Sequence, residues 1–238
     1  KYSPSDMKVE IVMFDSPTDC KNSVVTKSVD FGTFGIAAAI LTAKAAREPL
    51  SIEGNGSKRG LLRPVQAARS LSTRALTGIT LYRPAELIIS ARAGTPLAEI
   101  EAALAEKGQQ IIAEPPYFNA LFGTTAAPSL GGVIATNLSG PRRIAWGAMR
   151  DHLLGIRFVN GDGEVIRSGG RVLKNVTGLD LCKLLAGSYG TLGVLTEVTL
   201  KILPAPETSA TLLLQTPDLT AAVKALSSGL GSPFSVTG

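Results

Sequence analysis

The sequence predicts an α+β protein in which a helix–strand unit precedes hairpin-rich chain, and three observations carry that prediction. A helix-forming run, a short apolar segment and a glycine-rich loop follow one another between Ile36 and Gly60. Two apolar segments flank Gly161-Asp162-Gly163, a short glycine-containing connection of the kind that joins antiparallel strands. From Val194 to Leu203, Val198, Leu200 and Ile202 alternate with Glu197, Thr199 and Lys201, the period of two that a half-buried strand requires.

The elements can be justified in order. Alanines, a leucine and isoleucines from Ile36 to Glu48, interrupted by Thr42, Lys44 and Arg47, predict a helix stopped by Pro49. The stretch from Phe31 to Ala46 is the most apolar of the chain but too short to span a bilayer, so a buried helix is expected there. Leu50 to Glu53 then forms a strand, and Leu76 to Arg83 and Glu86 to Ala93 two more around Pro84. Thr95-Pro96 opens a helix, with Thr95 capping the free amides and Pro96 at the first helical position. Leu97, Ile100, Ala103 and Leu104 share its face, Gly108 ends it, and Gln109 to Ala113 returns as a strand before Pro115-Pro116. Loop-rich sequence follows from Glu114 to Pro128. Leu153 to Asn160 and Glu164 to Ser168 make the hairpin, Leu179 to Ala186 a helix, and Val194 to Leu203 a strand broken by Pro204 and Pro206. Thr211 to Gln215 and Leu219 to Leu226 begin a further strand and helix.

Composition narrows the function classes. The chain has 238 residues, 45% of them hydrophobic and 18% charged, enough for one main domain plus a fragment and unlike a disordered chain. The formal charge of +5 comes from 24 Lys and Arg spread along the sequence, and only 5% of residues are aromatic; both facts argue against nucleic-acid binding. Two cysteines, Cys20 and Cys182, cannot supply the four thiolates of an iron–sulfur cluster and make no disulfide framework. The N-terminus lacks the charged-then-apolar order of a signal peptide, so a cytoplasmic location is expected. Of the three N-x-S/T matches, at Asn55, Asn137 and Asn175, two fall in glycine-rich segments and are read as chance.

Those glycine-rich segments are the candidate site. A phosphate needs several N–H donors converging on it, and glycines let backbone approach closely. Gly54-Asn55-Gly56-Ser57, directly after a strand, meets that need, although a plain surface turn has the same composition. It lacks the Gly-Lys-Ser/Thr end of a Walker loop and the third glycine of GxGxxG. The second segment, Pro128 to Gly140, is built mainly from small residues, with Ser129 and Asn137 able to hydrogen-bond; it suits either a flat, extended ligand or tight helix packing. In the third, Gly187 to Thr196, glycines run directly into a strand. Three such segments suit a dinucleotide better than a single phosphate.

These segments, with Gly147 and Asp151, resemble the FAD-binding domain shared by vanillyl-alcohol-oxidase-like and D-lactate-dehydrogenase-like flavoproteins. The strings Arg83-Pro84-Ala85-Glu86-Leu87, Ala91-Arg92-Ala93-Gly94-Thr95, Asn137 to Arg143 and Lys174 to Leu181 are similar to the family of FAD-binding subunits of bacterial glycolate oxidases, over roughly residues 49–238. The resemblance implies a PCMH-type FAD-binding fold of two α+β subdomains over residues 31–205, with 206–238 opening an antiparallel cap domain and 1–30 unassigned. It implies that the Gly54, Asn55, Gly56 and Ser57 amides hold the FAD pyrophosphate. Ser129, Gly131, Gly132, Asn137 and Gly140 would line the rest of the channel, and Gly193 and Val194 would approach the adenine. Members that attach FAD covalently carry a histidine in the first loop; this loop holds Asn55 and Lys58, so noncovalent FAD is expected.

The resemblance further implies oxidation of a 2-hydroxy acid such as glycolate. Its partners would be a second flavoprotein subunit and an iron–sulfur subunit, through which any membrane association would arise. Two other readings stay open: a stand-alone FAD oxidase or dehydrogenase of another hydroxy acid or alcohol, and a flavin-binding assembly module without turnover of its own. No catalytic residue is assigned. His152, the single histidine, has the titration range of a base but no supporting cluster. Asp151 can bond a cofactor group or cap a strand, and Arg142-Arg143 can bind an acidic substrate or form a surface ion pair. A metal site lacks ligands.

Overall fold

A computed structural model describes residues 29–61, 63, 66–67, 69–170, 179–234 and 236. The central element is a five-stranded antiparallel sheet in the order β3-β4-β8-β6-β7, built from β3 (Ile79–Arg83), β4 (Ile88–Arg92), β6 (Leu153–Val159), β7 (Val165–Gly169) and β8 (Val194–Lys201). β8 sits at its middle, where the alternation read from the sequence is realised: Val198 and Leu200 point into the core and Glu197, Thr199 and Lys201 are half-buried. Helices α2 (Leu97–Ala105), α4 (Leu130–Thr136) and α6 (Leu181–Leu185) share that core, contributing Leu97, Ile100, Leu104, Leu130, Val133, Ile134 and Leu185. Each such side chain taken out of water is worth about 1.5–3 kcal/mol.

A second, smaller unit lies beside the sheet. Helix α1 (Val29–Ala46) packs Ile36 and Ile40 with Leu76, Val159 and Val194, against the two-stranded parallel pair of β1 (Leu50–Glu53) and β2 (Arg69–Ser72). The protein is therefore α+β with two cores, and the strands that join them, β6 and β8, contribute Val159 and Val194 to the smaller one.

Several expectations need correction. Helix α1 is buried on one side only, through Ile36, Ile40 and Ala43, while Leu41 is exposed. The cap of α2 is Pro96, and Thr95 turns away to accept from the Gly78 amide at 2.9 Å, so the hydroxyl fastens β3 to the helix start. The strand expected over 109–113 shrinks to β5 (Gln109–Gln110), paired with β9 (Leu203–Pro204), because Ile111 to Ala113 are buried under the sheet instead of running along an edge. The loop-rich stretch holds a one-turn helix, α3 (Asn119–Phe122), and another, α5 (Arg143–Trp146), follows the second glycine-rich segment. Residues 211–215 form no strand: no described strand lies alongside them, and Leu212 and Leu213 are 82% and 86% exposed. Helix α7 (Leu219–Leu230) follows, capped by Asp218, which accepts from the Ala221 amide at 2.8 Å; none of its residues is buried. The string at 174–178, with Asn175, lies outside the described residues, as does residue Cys20.

Candidate functional site

The three glycine-rich segments converge on one cavity of about 700 Å³ between the two units, inside the range of about 300–1,000 Å³ typical of small-molecule sites. Gly54 to Arg59 after β1, the start of α4, and residues 188–195 form its walls, with Thr73 and Ser70 from the β2 side. The segments touch one another. A Cβ placed on Gly54 would stand 2.2 Å from Ser129 Oγ, so the first loop lies directly on the cap of α4. The Tyr189 amide donates to Ala135 O at 2.8 Å and the Gly187 amide to Ile134 O at 3.1 Å, docking the third segment on the same helix.

The second segment is thus a helix, the tight-packing alternative the sequence left open, and its start also lines the cavity. Ser129 caps it by accepting from the Gly132 amide at 3.3 Å, and Asn137 ends it in the left-handed region at φ 50°. Two successive glycines cost a helix about 1 kcal/mol each relative to alanine; here the first allows close packing, since a Cβ on Gly131 would lie 2.7 Å from Ala93 Cβ. The Gly131 amide itself donates to Ala93 O at 2.7 Å, and Leu130 to Thr95 O at 2.9 Å. The helix start is therefore a wall whose donors are already engaged.

The first loop is different. The amides of Asn55, Gly56, Ser57 and Lys58 have no acceptor among the described residues, and all four residues line the cavity. The loop is held from outside its amides. Asn55 Nδ2 donates to Ala127 O at 2.9 Å, Ser72 Oγ to Gly54 O at 3.2 Å and the Thr73 amide to Glu53 O at 2.8 Å. Gly56 adopts φ +73°, the left-handed conformation that turns successive amides to one side and forms an anion-binding concavity.

Lys58, which the sequence marks only as standing where a covalent histidine would be, is the ionisable group most altered by the cavity. Its ammonium lies 3.5 Å from Ser57 Oγ and makes no ion pair among the described residues. A Cβ on Gly132 would come within 3.5 Å of it. Burial pulls its pKa down to about 8. The signal in the sequence was its place two residues after Gly56, inside the loop. Ile52 and Thr73 also line the cavity and were missed, because neither stands in a glycine string; Ser188 and Tyr189 line it too, inside the third glycine-rich segment, but were not singled out there.

Of the predicted site residues, Gly54, Asn55, Gly56, Ser57, Ser129, Gly131, Gly132, Gly193 and Val194 come together around the cavity. Asn137 and Gly140 do not line it. Asn137 Oδ1 accepts from the Arg150 amide at 2.9 Å, and Gly140 packs on Glu114 with its amide on Ala113 O at 2.7 Å. His152 is also elsewhere, 6% exposed at the start of β6, with neither ring nitrogen in hydrogen-bonding geometry to a described residue. Burial pushes its pKa down more than the Trp146 backbone and Asp151 push it up. Asp151 caps its own turn by accepting from the Ala148 amide at 2.8 Å, and Arg142 pairs with Glu114 at 3.2 Å. Among the described residues there is no cluster of metal-ligating side chains, and no helix long and apolar enough to cross a membrane.

Two cores flank a cavity rimmed, among the described residues, by free amides and one unpaired ammonium, an arrangement that suits an extended dinucleotide. A family model described as an FAD binding domain matches residues 35–169, more than half of the chain. The chain belongs to this family, and FAD is its cofactor. It is 48% identical over 166 residues to glycolate oxidase subunit GlcE of Escherichia coli (strain K12), covering 70% of this chain and 45% of that one. It is 31% identical over 190 residues to a D-lactate dehydrogenase of Archaeoglobus fulgidus, covering 79% of this chain and 40% of the relative. A solved structure of alkyldihydroxyacetonephosphate synthase shares the fold at TM-score 0.58 and 23% identity, over 73% of this chain and 30% of that one. The chain thus spans less than half the length of these relatives.

Proposed function

We propose that the chain is the FAD-carrying subunit of a glycolate oxidase-type complex, an oxidoreductase acting on a 2-hydroxy acid. The observation that carries the reading is the run of four acceptor-free amides at 55–58 on a cavity of dinucleotide size, in a chain that also resembles a glycolate oxidase subunit. FAD supplies the hydride-accepting chemistry when bound, and the chain's own residues orient it and shield it from water. The Gly54, Asn55, Gly56 and Ser57 backbone would hold the diphosphate, Ser129, Gly131 and Gly132 the adjoining wall, and Gly193 and Val194 the adenine end. Asn137 and Gly140 would support that wall from behind.

Residues 31–205 would form the FAD-binding domain and 206–238 the first part of a cap. The partners would be a second flavoprotein subunit and an iron–sulfur subunit, since two cysteines cannot ligate a cluster. The location would be cytoplasmic, with any membrane association arising through those partners. Substrate oxidation needs a general base. Among the described residues, the ionisable groups on the cavity wall are Glu53, which is tied to Arg59 at 2.9 Å, Lys58, Arg59, Arg63 and Tyr189. None is a free carboxylate or histidine.

The chain alone is therefore expected to bind FAD without oxidising hydroxy acids. Acid precipitation should leave the flavin in the supernatant, since no histidine lines the cavity. Flavin absorbance, followed anaerobically with glycolate or D-lactate, should bleach only when the partner subunits are added. Bleaching by the chain alone would favour the second reading, a self-sufficient dehydrogenase, which the match to a D-lactate dehydrogenase supports. No bleaching in either mixture would refute both.

A further inference from the structure

We propose that Lys58 is the cationic anchor of the cofactor, pairing its ammonium with the diphosphate received by the amides of residues 55–58. The proposal rests on the cavity being the FAD site and assigns a side chain to a role so far given only to backbone. Three observations support it. Lys58 belongs to the loop that carries the free amides and lines the same cavity. Its nitrogen lies beside Ser57 Oγ and close to Gly132, between the loop and the start of α4. No carboxylate among the described residues neutralises it: Glu53, the acid of this wall, is bound by Arg59.

The other elements around the cavity add no competing charge. β2 and α4 contribute no acid or base to the wall, the 188–195 segment contributes only the Tyr189 phenol, and Arg59 and Arg63 carry the same sign as Lys58. An ammonium held in such a place is costly unless an anion joins it. Without one, burial pulls its pKa to about 8. An adjoining diphosphate favours the charged form and must raise that value. Binding in mildly alkaline solution must then take up protons, because the bound state holds more of them than the free state.

The test uses the whole chain stripped of flavin and titrated calorimetrically at pH 8.5 with FAD, ADP and riboflavin, in two buffers of different ionisation enthalpy. The wild-type protein should take up a fraction of a proton with FAD and with ADP. Lys58→Met should weaken FAD and ADP by about ten- to a hundredfold, as for loss of a hydrogen bond to a charged group, leave riboflavin unchanged and abolish the uptake. Lys58→Arg should restore most of the affinity without the uptake, since a guanidinium does not titrate here. Thermal melts of the flavin-free proteins provide the folding control: removing an unpaired ammonium should leave the Lys58→Met midpoint at or above that of the wild type. Equal FAD affinity in Lys58→Met, or proton uptake unchanged by it, would overturn the role of Lys58 while leaving the site intact. Failure of the wild-type chain to bind either FAD or ADP would overturn the site itself.

Discussion

The contact between Gly54 and Ser129 allows the sharpest test of how the cavity is assembled. In Gly54→Ala the new Cβ would stand 2.2 Å from Ser129 Oγ and 3.2 Å from Ser129 Cβ, so the hydroxyl must leave its position. That hydroxyl caps α4. Losing the cap costs about 1 kcal/mol, and forcing a methyl into a packed contact costs about 1–3 kcal/mol, so about 2–4 kcal/mol is at stake. If α4 yields, the loss shows in stability as a midpoint lowered by about 2–4 °C per kcal/mol in a chain of this size. If the loop yields instead, it shows in FAD affinity, tenfold for each 1.4 kcal/mol. Ser129→Ala alone should cost only the cap, about 1 kcal/mol. In the double variant the offending oxygen is already gone, so its total cost should fall short of the sum by about 1–2 kcal/mol. Urea unfolding and FAD titration of the four proteins complete the cycle. Additivity to within about 0.5 kcal/mol, the behaviour of independent sites, would mean that the first loop does not rest on α4.

Gly56→Asp should purify folded but without FAD. Its Cβ meets only the flexible Arg59 side chain at 3.2 Å and aspartate tolerates the left-handed region better than most residues, yet a carboxylate there repels the diphosphate by about 1–4 kcal/mol at 4 Å. A normal FAD content in the folded variant would show the loop to be misassigned. His152 should make the protein acid-sensitive. Its folded pKa lies below the ordinary value of 6.5, so the stability due to the neutral ring is complete above pH 6.5 and is lost as pH falls from there toward the folded pKa. Melting between pH 7.5 and 5.5 should show the wild-type midpoint dropping and His152→Gln dropping less; parallel curves would remove His152 as the cause.

The sheet was legible because its strands carry their own signals. Val198 and Leu200 set the face of β8, which Ile202 continues just past its end, and the Asn160 to Glu164 turn closes on itself, with Asn160 Oδ1 accepting from the Asp162 and Glu164 amides at 2.9 Å. β2 was not legible, since Arg69-Ser70-Leu71-Ser72 owes its strand to pairing with β1 and has no apolar alternation of its own. Thr95 misled for a related reason: a hydroxyl before a helix competes between the helix amides and any nearer backbone, and the Gly78 amide won. Lys58 was hidden because its role depends on burial between two segments more than seventy residues apart in sequence, which no local pattern encodes.

Glycine content located the cavity but not the donors within it, and the reason is physical. A glycine permits close approach without saying what approaches. At Gly131 the neighbour is Ala93, and at Gly193 a Cβ would stand 2.6 Å from the Phe158 ring; both approaches are internal packing that brings elements together around the ligand. At residues 55–58 nothing in the described protein satisfies the amides, which is what the proposed cofactor contact requires. Substitutions should separate accordingly. A side chain at Gly131 or Gly193 must first damage packing and reduce FAD content through misfolding, whereas one at Gly56 should spare the fold and remove the flavin. The first loop stands out by the hydrogen bonds its backbone does not make among the described residues, a property that no sequence pattern encodes.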